Sequence, residues 1–168
     1  GPLAVGVSGE DGGLITAAAR NPELGFVGDV ASVDPTLLTK LFSEGLIPVM
    51  STIGADASGQ AYNINADTVA GAVAEAIGAE KVVYLTDVEG LYEDFSDKDS
   101  LIRQISADEL QGKIDSGRVT DGMIPKIEAC ISAVNNGVTS AHLLDGRIPH
   151  VALLEIFTDA GIGTMISS

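Results

Sequence analysis

Lys81-Val82-Val83-Tyr84-Leu85-Thr86-Asp87-Val88-Glu89-Gly90 is the stretch of sequence that decides the fold. Its apolar run of valine, tyrosine and leucine, closed by a polar turn with glycine, is typical of a buried strand in a parallel sheet. Outward from it in both directions, short apolar strands alternate with helices of about ten residues. This alternation predicts an α/β fold with a mainly parallel sheet, in a single domain over residues 1–168.

The N-terminal side of this strand contains clear turn and helix signals. Residues 14–19 and 25–30 are predicted to form a hairpin around the Asn21-Pro22 turn. Asp34-Pro35 predicts the start of a helix, with the aspartate as its cap and the proline in its first turn. Residues 47–53 are predicted to be one buried strand.

The C-terminal side shows the same alternation. Ser106 is followed three residues later by Glu109, which predicts a capping box at the start of a helix. A further helix is predicted over residues 123–135, where Asn136-Gly137 ends it. A strand is predicted over residues 140–144.

Composition excludes several classes of protein. The chain has 168 residues, 45% of them hydrophobic, and a formal net charge of −15, so it is expected to repel nucleic acid and anionic lipid. No apolar run reaches the roughly 20 residues that span a bilayer. The one cysteine allows no intramolecular disulfide, which favours the reducing cytoplasm. We therefore expect neither nucleic acid nor a membrane as a partner.

Polar and glycine residues gather where the predicted strands end. In open α/β sheets, ligands bind beyond the carboxyl ends of the strands. Ser8-Gly9-Glu10-Asp11-Gly12-Gly13, Ser51-Thr52 and Thr86-Asp87-Val88-Glu89-Gly90 occupy such positions. Each loop alone is equally compatible with ordinary turn chemistry, whereas several on one rim favour a site. Neither a Walker-type loop nor a G-x-G-x-x-G motif is present, which disfavours two common nucleotide-binding classes.

Asn63-Ile64-Asn65-Ala66-Asp67 leads directly into an alanine-rich helix. Asn65 is a candidate cap, and Asp67 in the first turn interacts favourably with the helix dipole. Capping alone explains these two residues, but it leaves Asn63 without a role. The segment is therefore either a cap or part of a polar site.

Asp121-Gly122-Met123-Ile124-Pro125-Lys126 places a lysine in the first turns of a helix. The helix dipole disfavours a cation there, whereas a bound anion would compensate both the lysine and the unpaired N–H groups. Gly122 would let the backbone approach a phosphate closely. The alternative is a surface lysine whose stem covers apolar neighbours.

These motifs, and the order in which they come, resemble the amino acid kinase family, and within it the acetylglutamate kinases. The resemblance covers essentially the whole chain. Its most specific segments are residues 25–30, 47–53, 63–67, 78–81, 85–92, 121–126, 142–147, 153–157 and 161–164.

The resemblance implies a three-layer αβα sandwich with a mainly parallel sheet. It also implies transfer of the γ-phosphoryl group of ATP, with Mg²⁺, to the side-chain carboxylate of N-acetyl-L-glutamate on the route to arginine. Such a reaction requires mostly positioning and charge neutralisation, so few catalytic groups are needed. The sequence indicates no ligand set for the metal.

The resemblance also assigns roles to residues. Lys126 is implied as the cation that stabilises the transferring phosphoryl group, and Asp67 as the residue that holds the catalytic lysines in place. The substrate-binding residues implied are Asn63, Asn65 and Ser51. The nucleotide-binding residues implied are Thr86, Asp87, Val88, Gly90, Leu91, Asp121, Gly122 and Met123.

Arginine-inhibited members of the family have a second site in their C-terminal region. The resemblance implies that Lys81, His142, Glu155 and Gly161 form it here. Glu155 is a natural partner for a guanidinium group. The alternative is that these are ordinary helix and loop residues.

The chain departs from the family in length, because family members are nearly twice as long. Their N-terminal half, with its glycine-rich phosphate loop, catalytic lysine and substrate-binding arginine, has no counterpart in these 168 residues. We therefore expect this polypeptide alone to bind nucleotide weakly and to lack kinase activity. An exposed sheet edge and a homo-oligomer are further expectations.

Two alternatives stay open. The first is another amino acid kinase, such as a glutamate 5-kinase, an aspartokinase or a carbamate kinase. The second is a non-catalytic module that binds arginine or a nucleotide as a sensor.

Overall fold

The computed structural model of the chain describes residues 3–94, 96–119, 122–157 and 161–168. The chain divides into two compact units, Gly1–Ile77 and Gly78–Ser168. Both units combine helices with strands, and among the described residues five of the nine strand pairs are parallel, three in the first unit and two in the second, so the predicted α/β class is confirmed. The assignment of all 168 residues to one domain stays a prediction.

The first unit contains six strands and two helices among its described residues. Their bounds are β1 (Ala4–Ser8), β2 (Ile15–Ala19), β3 (Val27–Val33), α1 (Thr36–Ser43), β4 (Ile47–Ser51), β5 (Ile53–Ala55), β6 (Ala61–Ile64) and α2 (Ala66–Ala76).

The strands of the first unit form two sheets. β1 and β4 pair in parallel, so that Ser8 and Ser51 lie side by side at their carboxyl ends. β2, β3, β6 and β5 close into a small barrel, in which β2 and β3 form the predicted antiparallel hairpin. Leu14, Ile15 and Ile64 are buried in the core of this unit.

Two local predictions in this unit are corrected by the structure. The predicted start of the first helix is wrong by one residue: α1 begins at Thr36 and Pro35 is its N-cap, while the Asp34 side chain still accepts a hydrogen bond from the N–H of Thr36 at 3.0 Å. The single buried strand predicted over residues 47–53 is wrong in two ways, because β4 ends at Ser51 and none of its residues is fully buried. Ile53 instead begins β5, which pairs with β6 in the barrel.

The second unit contains six strands and three helices among its described residues. Their bounds are β7 (Lys81–Thr86), β8 (Leu91–Tyr92), β9 (Leu101–Ile102), β10 (Gln104–Ser106), α3 (Ala107–Asp115), α4 (Ile124–Asn135), β11 (Ser140–Asp145), α5 (Val151–Phe157) and β12 (Thr164–Ser167).

A four-stranded sheet in the order β10-β12-β11-β7 is the centre of the second unit. β7 and β11 are parallel, and β12 runs antiparallel to β11. The predicted capping box is confirmed, because Ser106 and Glu109 cap each other at the start of α3. Ile127 of α4 and Leu143 of β11 are fully buried, which fixes the helix against the sheet.

Candidate functional site

The turn after β7 is held by the side chain of its last residue. Thr86 Oγ accepts a hydrogen bond from the N–H of Val88 at 2.9 Å and donates one to the carbonyl oxygen of the same residue at 2.9 Å. The two bonds close a tight turn that leaves Asp87 exposed to solvent and Val88 half-buried. Thr86 therefore shapes the loop that the sequence predicted to contact a nucleotide.

Gly90 is required by close packing at the end of this turn. A Cβ placed on Gly90 would lie 2.5 Å from Thr164 Oγ, far inside van der Waals contact. Thr164 Oγ accepts a hydrogen bond from the N–H of Leu91 at 2.8 Å and donates one to the carbonyl oxygen of Ile102 at 2.7 Å. Gly90 thus lets the turn pack on β12 and positions β8.

A cavity of about 90 Å³ lies beside this turn, within the second unit. Its walls come from the turn, the β8–β9 pair, α3 and the residues that precede α4. The side chains and backbone that line it belong to Val88, Gly90, Leu91, Tyr92, Glu93, Ile102, Leu110, Lys113, Arg118, Val119 and Met123. Most of these residues are apolar, so the cavity, called the apolar slot from here on, suits a flat ring with few polar edges.

The apolar slot collects half of the predicted nucleotide-binding residues. Val88, Gly90, Leu91 and Met123 line it. Thr86 supports the turn from behind. The remaining three predicted residues, Asp87, Gly122 and Asp121, are not among the residues that line the slot, and Asp121 lies outside the described residues.

Lys126 occupies the third position of α4 and is half-buried. Met123 precedes the helix, and its side chain makes no capping hydrogen bond to the described residues of α4. A Cβ placed on Gly122 would meet no described heavy atom within 4 Å, so there is open space beside this end of the helix. The anion site predicted beside this turn stays a prediction.

The predicted substrate-binding residues lie in the first unit. Asn65 Oδ1 accepts hydrogen bonds from the N–H groups of Asp67 at 2.9 Å and Thr68 at 3.2 Å, so its role as the cap of α2 is confirmed. Asp67 is half-buried in the first turn of the same helix, and Asn63 is exposed on β6. Ser51 is exposed at the carboxyl end of β4.

His142 and Glu155 form a buried pair in the second unit. His142 Nδ1 and Glu155 Oε1 are 2.8 Å apart, and the two side chains are only 5% and 7% exposed. His142 Nε2 lies 2.9 Å from Ser140 Oγ. Glu155 Oε2 accepts hydrogen bonds from the N–H of Ile162 at 2.7 Å and of Gly163 at 3.4 Å.

Burial and hydrogen bonding act in opposite directions on Glu155. Burial raises the pKa of this carboxyl, but the hydrogen bonds from Ile162, His142 and Gly163 outweigh it and hold the pKa below its usual range. The carboxylate is therefore the anchor of the loop that leads into β12.

Two further residues of the predicted arginine site flank this pair. Gly161 has a φ of +57°, and a Cβ on it would lie 3.2 Å from Glu155 Oε2, so both backbone and packing favour glycine. Lys81 is exposed at the start of β7, where its backbone pairs with that of Ser140. His142, Glu155 and Gly161 thus lie next to one another. Lys81 lies on the neighbouring strand β7, paired with Ser140 of β11.

The sequence model of the amino acid kinase family matches residues 2–145 of this chain. The chain belongs to the amino acid kinase family. It is 54% identical over 167 residues to acetylglutamate kinase of Nostoc sp. and 53% identical over 173 residues to acetylglutamate kinase of Saccharopolyspora erythraea. Each match covers 99% of this chain and 56% of the relative, so the chain spans just over half the length of these proteins.

Solved structures confirm the amino acid kinase fold. N-acetylglutamate synthase from Neisseria gonorrhoeae, complexed with coenzyme A and N-acetyl-glutamate, matches 99% of this chain with a TM-score of 0.84 and 28% identity, over 38% of its own length. Isopentenyl phosphate kinase from T. acidophilum matches 98% of this chain with a TM-score of 0.63 and 20% identity, over 60% of its own length. The second likeness supports the fold alone.

Within the described residues, no group of three or more His, Cys, Asp or Glu side chains is placed to hold a metal ion. These residues therefore do not fit a metal cage made by protein alone. In the same ranges, no helix has both the length and the apolar character needed to cross a membrane.

Asp145, at the carboxyl end of β11, is the most strongly acidified carboxyl described in this chain. Arg147 donates two side-chain hydrogen bonds at 2.8 Å and one backbone N–H bond at 2.9 Å to it, which lowers the pKa of Asp145 to about 2. The pair closes the loop that follows β11. No signal in the sequence marks this pair, because an aspartate two residues before an arginine is a common pattern.

Asp145→Asn is expected to destabilise the chain at neutral pH and not at about pH 2. The depressed pKa adds stability above the unfolded value near 3.8, and this stability is lost as the pH falls towards about 2. Urea unfolding of wild type and variant between pH 2 and pH 7 measures the difference. Arg147→Met should reduce the same pH dependence without abolishing it, because the backbone N–H of residue 147 still donates to Asp145. A wild-type advantage that persists unchanged at pH 2 would contradict this account.

Proposed function

We propose that this chain supplies the ATP-binding part of an N-acetyl-L-glutamate kinase. Such an enzyme transfers the γ-phosphoryl group of ATP to the side-chain carboxylate of N-acetyl-L-glutamate, in arginine biosynthesis in the cytoplasm. The observation that carries the proposal is the apolar slot, which is lined by Val88, Gly90, Leu91 and Met123. Relatives named acetylglutamate kinase, 54% and 53% identical to this chain, support the choice of reaction.

The apolar slot is the proposed binding site of the adenine ring. Its leucine, valine, isoleucine and methionine side chains give a dry surface for a flat ring, as in most nucleotide and cofactor sites. Gly90 and Thr86 shape the turn at its edge. Asp87, exposed on that turn, is proposed to contact the nucleotide outside the slot.

Lys126 is proposed to neutralise negative charge on the transferring phosphoryl group. A cation held in place before the reaction stabilises the transition state without reorganisation, which is the main form of catalysis in phosphoryl transfer. The uncapped first turn of α4 and the open space at Gly122 leave room for phosphate oxygens. Mg²⁺ in such a reaction is bound largely by phosphate oxygens and water, and it supplies further charge neutralisation.

The acceptor substrate is proposed to contact Asn63, Asn65 and Ser51, and Asp67 to hold the catalytic lysines in place. Asn65 Oδ1 is committed to capping α2, so only the amide NH₂ group of this residue is proposed to face the substrate. We propose that the chain alone does not turn over ATP, and that the enzyme is a homo-oligomer.

Val88→Asp tests the nucleotide site. A carboxylate in the apolar slot removes apolar contact and repels the negatively charged nucleotide, so ATP should bind more than about tenfold more weakly. Isothermal titration of the 168-residue chain with ATP measures this. Leu24→Asp, at an exposed leucine of the first unit that is 55% accessible, is the control and should bind like wild type. Equal ATP affinity in Val88→Asp and wild type would remove the slot as the base site.

A second candidate function is binding of L-arginine as a feedback inhibitor, or as the ligand of a non-catalytic sensor. The buried cluster of His142, Glu155 and Gly161 favours it, because a carboxylate anchored by backbone N–H groups is a fit partner for a guanidinium. Calorimetry separates the two: arginine binding without ATP binding supports the sensor. The other amino acid kinases are separated by the carboxylate substrate that is phosphorylated.

A further inference from the structure

Two oppositely charged side chains face each other at the wall of the apolar slot. Glu93 directly follows β8, and Lys113 lies in the last turn of α3. Lys113 Nζ and Glu93 Oε2 are 2.6 Å apart, and both residues line the slot. Neither residue was a predicted site residue, because the contact joins positions twenty residues apart.

This ion pair fixes the position of the Glu93 carboxylate. The Lys113 side chain is 19% exposed and the Glu93 side chain 61% exposed, so a mostly buried ammonium group holds a carboxylate at the solvent-facing edge of the slot. The backbone N–H of Glu93 is also fixed, by a 3.0 Å hydrogen bond to the carbonyl oxygen of Ser100. Lys113 uses Oε2, while Oε1 has no hydrogen-bond partner among the described residues. An oriented hydrogen-bond acceptor therefore lies at the edge of a mostly apolar slot.

We propose that Glu93 reads the 6-position of the purine and thereby selects adenine over 6-oxo purines. The inference rests on the proposed binding of ATP in the slot. The 6-amino group of adenine donates a hydrogen bond to Glu93 Oε1, whereas the 6-oxo group of hypoxanthine or guanine places an acceptor against a carboxylate. Lys113 is the positioning residue, because it holds Glu93 without contacting the base.

Competition binding with ATP and ITP tests this inference on the 168-residue chain. The two nucleotides differ only at the 6-position and the adjacent ring nitrogen, so the comparison is free of the 2-amino group of GTP. Wild type is expected to favour ATP over ITP by at least about tenfold. The 6-oxo group of ITP would face the Glu93 carboxylate, and these two acceptors cannot form a hydrogen bond with each other. In Glu93→Gln, the side-chain amide can turn either oxygen or nitrogen to the base, and the preference should fall to within about threefold.

Two further variants separate selection from folding. Lys113→Met should also lower the ATP preference, because Glu93 is no longer held, and Lys113→Arg should restore part of it. Glu128→Gln, the same change at an exposed residue of α4 that does not line the slot, should keep the wild-type preference. Thermal unfolding of each variant checks that it folds.

The outcomes distinguish this inference from the function on which it rests. A wild-type chain that binds ATP and ITP equally, or a Glu93→Gln variant that keeps the full preference, overturns the role of Glu93 and leaves ATP binding standing. A wild-type chain that binds neither nucleotide overturns the proposed function, and the inference with it. The assignment is supported if the preference for ATP over ITP falls in Glu93→Gln and Lys113→Met and stays at the wild-type value in Glu128→Gln.

Discussion

Lys126→Ala is expected to lower the turnover number for acetylglutamate phosphorylation about a thousandfold, while the KM for ATP stays within about threefold. A thousandfold loss corresponds to about 4 kcal/mol of transition-state stabilisation, the size expected when one preorganised cation is removed from a phosphoryl-transfer site. The ground-state affinity is expected to change little, because the apolar slot, and not Lys126, is the proposed binding site of the base.

The measurement requires a protein of the relatives' full length, since this chain spans 56% of them. A chimera in which these residues replace the matching segment of the Nostoc sp. acetylglutamate kinase meets that need. Lys40→Ala, at an exposed lysine of α1, is the matched control and should retain full turnover. If Lys126→Ala raises the KM for ATP tenfold and leaves turnover intact, Lys126 is a binding residue and not a catalytic one.

Local signals in the sequence were sufficient for most elements and for their ends. Asn65 caps α2 and Ser106 and Glu109 form a capping box, because these hydrogen bonds join residues two or three positions apart. The strand Lys81–Thr86 was also found from its own apolar run. Structure that depends on neighbours in sequence is therefore readable from sequence.

Elements that depend on distant partners were missed or misplaced. β8 and β9 have two residues each, and they exist only because Leu91 pairs with Ile102 and Tyr92 with Leu101. The predicted strand over residues 47–53 was too long for a similar reason, because β5 pairs with β6 and β2 while β4 pairs with β1. No local pattern marks the point at which a chain leaves one sheet for another.

The same distinction applies to the candidate site. Half of the predicted nucleotide residues line the apolar slot, and they come from segments with glycine or turn signals of their own. Lys113 and Glu93 also line it, but in the sequence each resembles an ordinary surface charge. A lysine in the last turn of a helix is explained by the dipole alone, so its burial beside Glu93 gives no local signal.

Glu155→Ala is expected to lower the free energy of unfolding by about 2–4 kcal/mol, because it leaves several buried polar groups without their acceptor. His142 Nδ1 would lose its 2.8 Å partner, and the N–H groups of Ile162 and Gly163 would lose theirs. The loop that these bonds hold leads into β12, which lies between β10 and β11, so the loss should reach the central sheet.

Glu155→Gln separates charge from shape in this cluster. The amide oxygen can still accept from the N–H of Ile162, so the loss should be smaller than in Glu155→Ala, and chemical denaturation of both variants measures it. Glu128→Ala, at an exposed glutamate of α4, is the control and should change stability by less than about 0.5 kcal/mol. If Glu155→Ala is as stable as the control, the cluster is not structural. Its buried carboxylate would then be retained for a ligand, and arginine binding by wild type and Glu155→Gln becomes the deciding comparison.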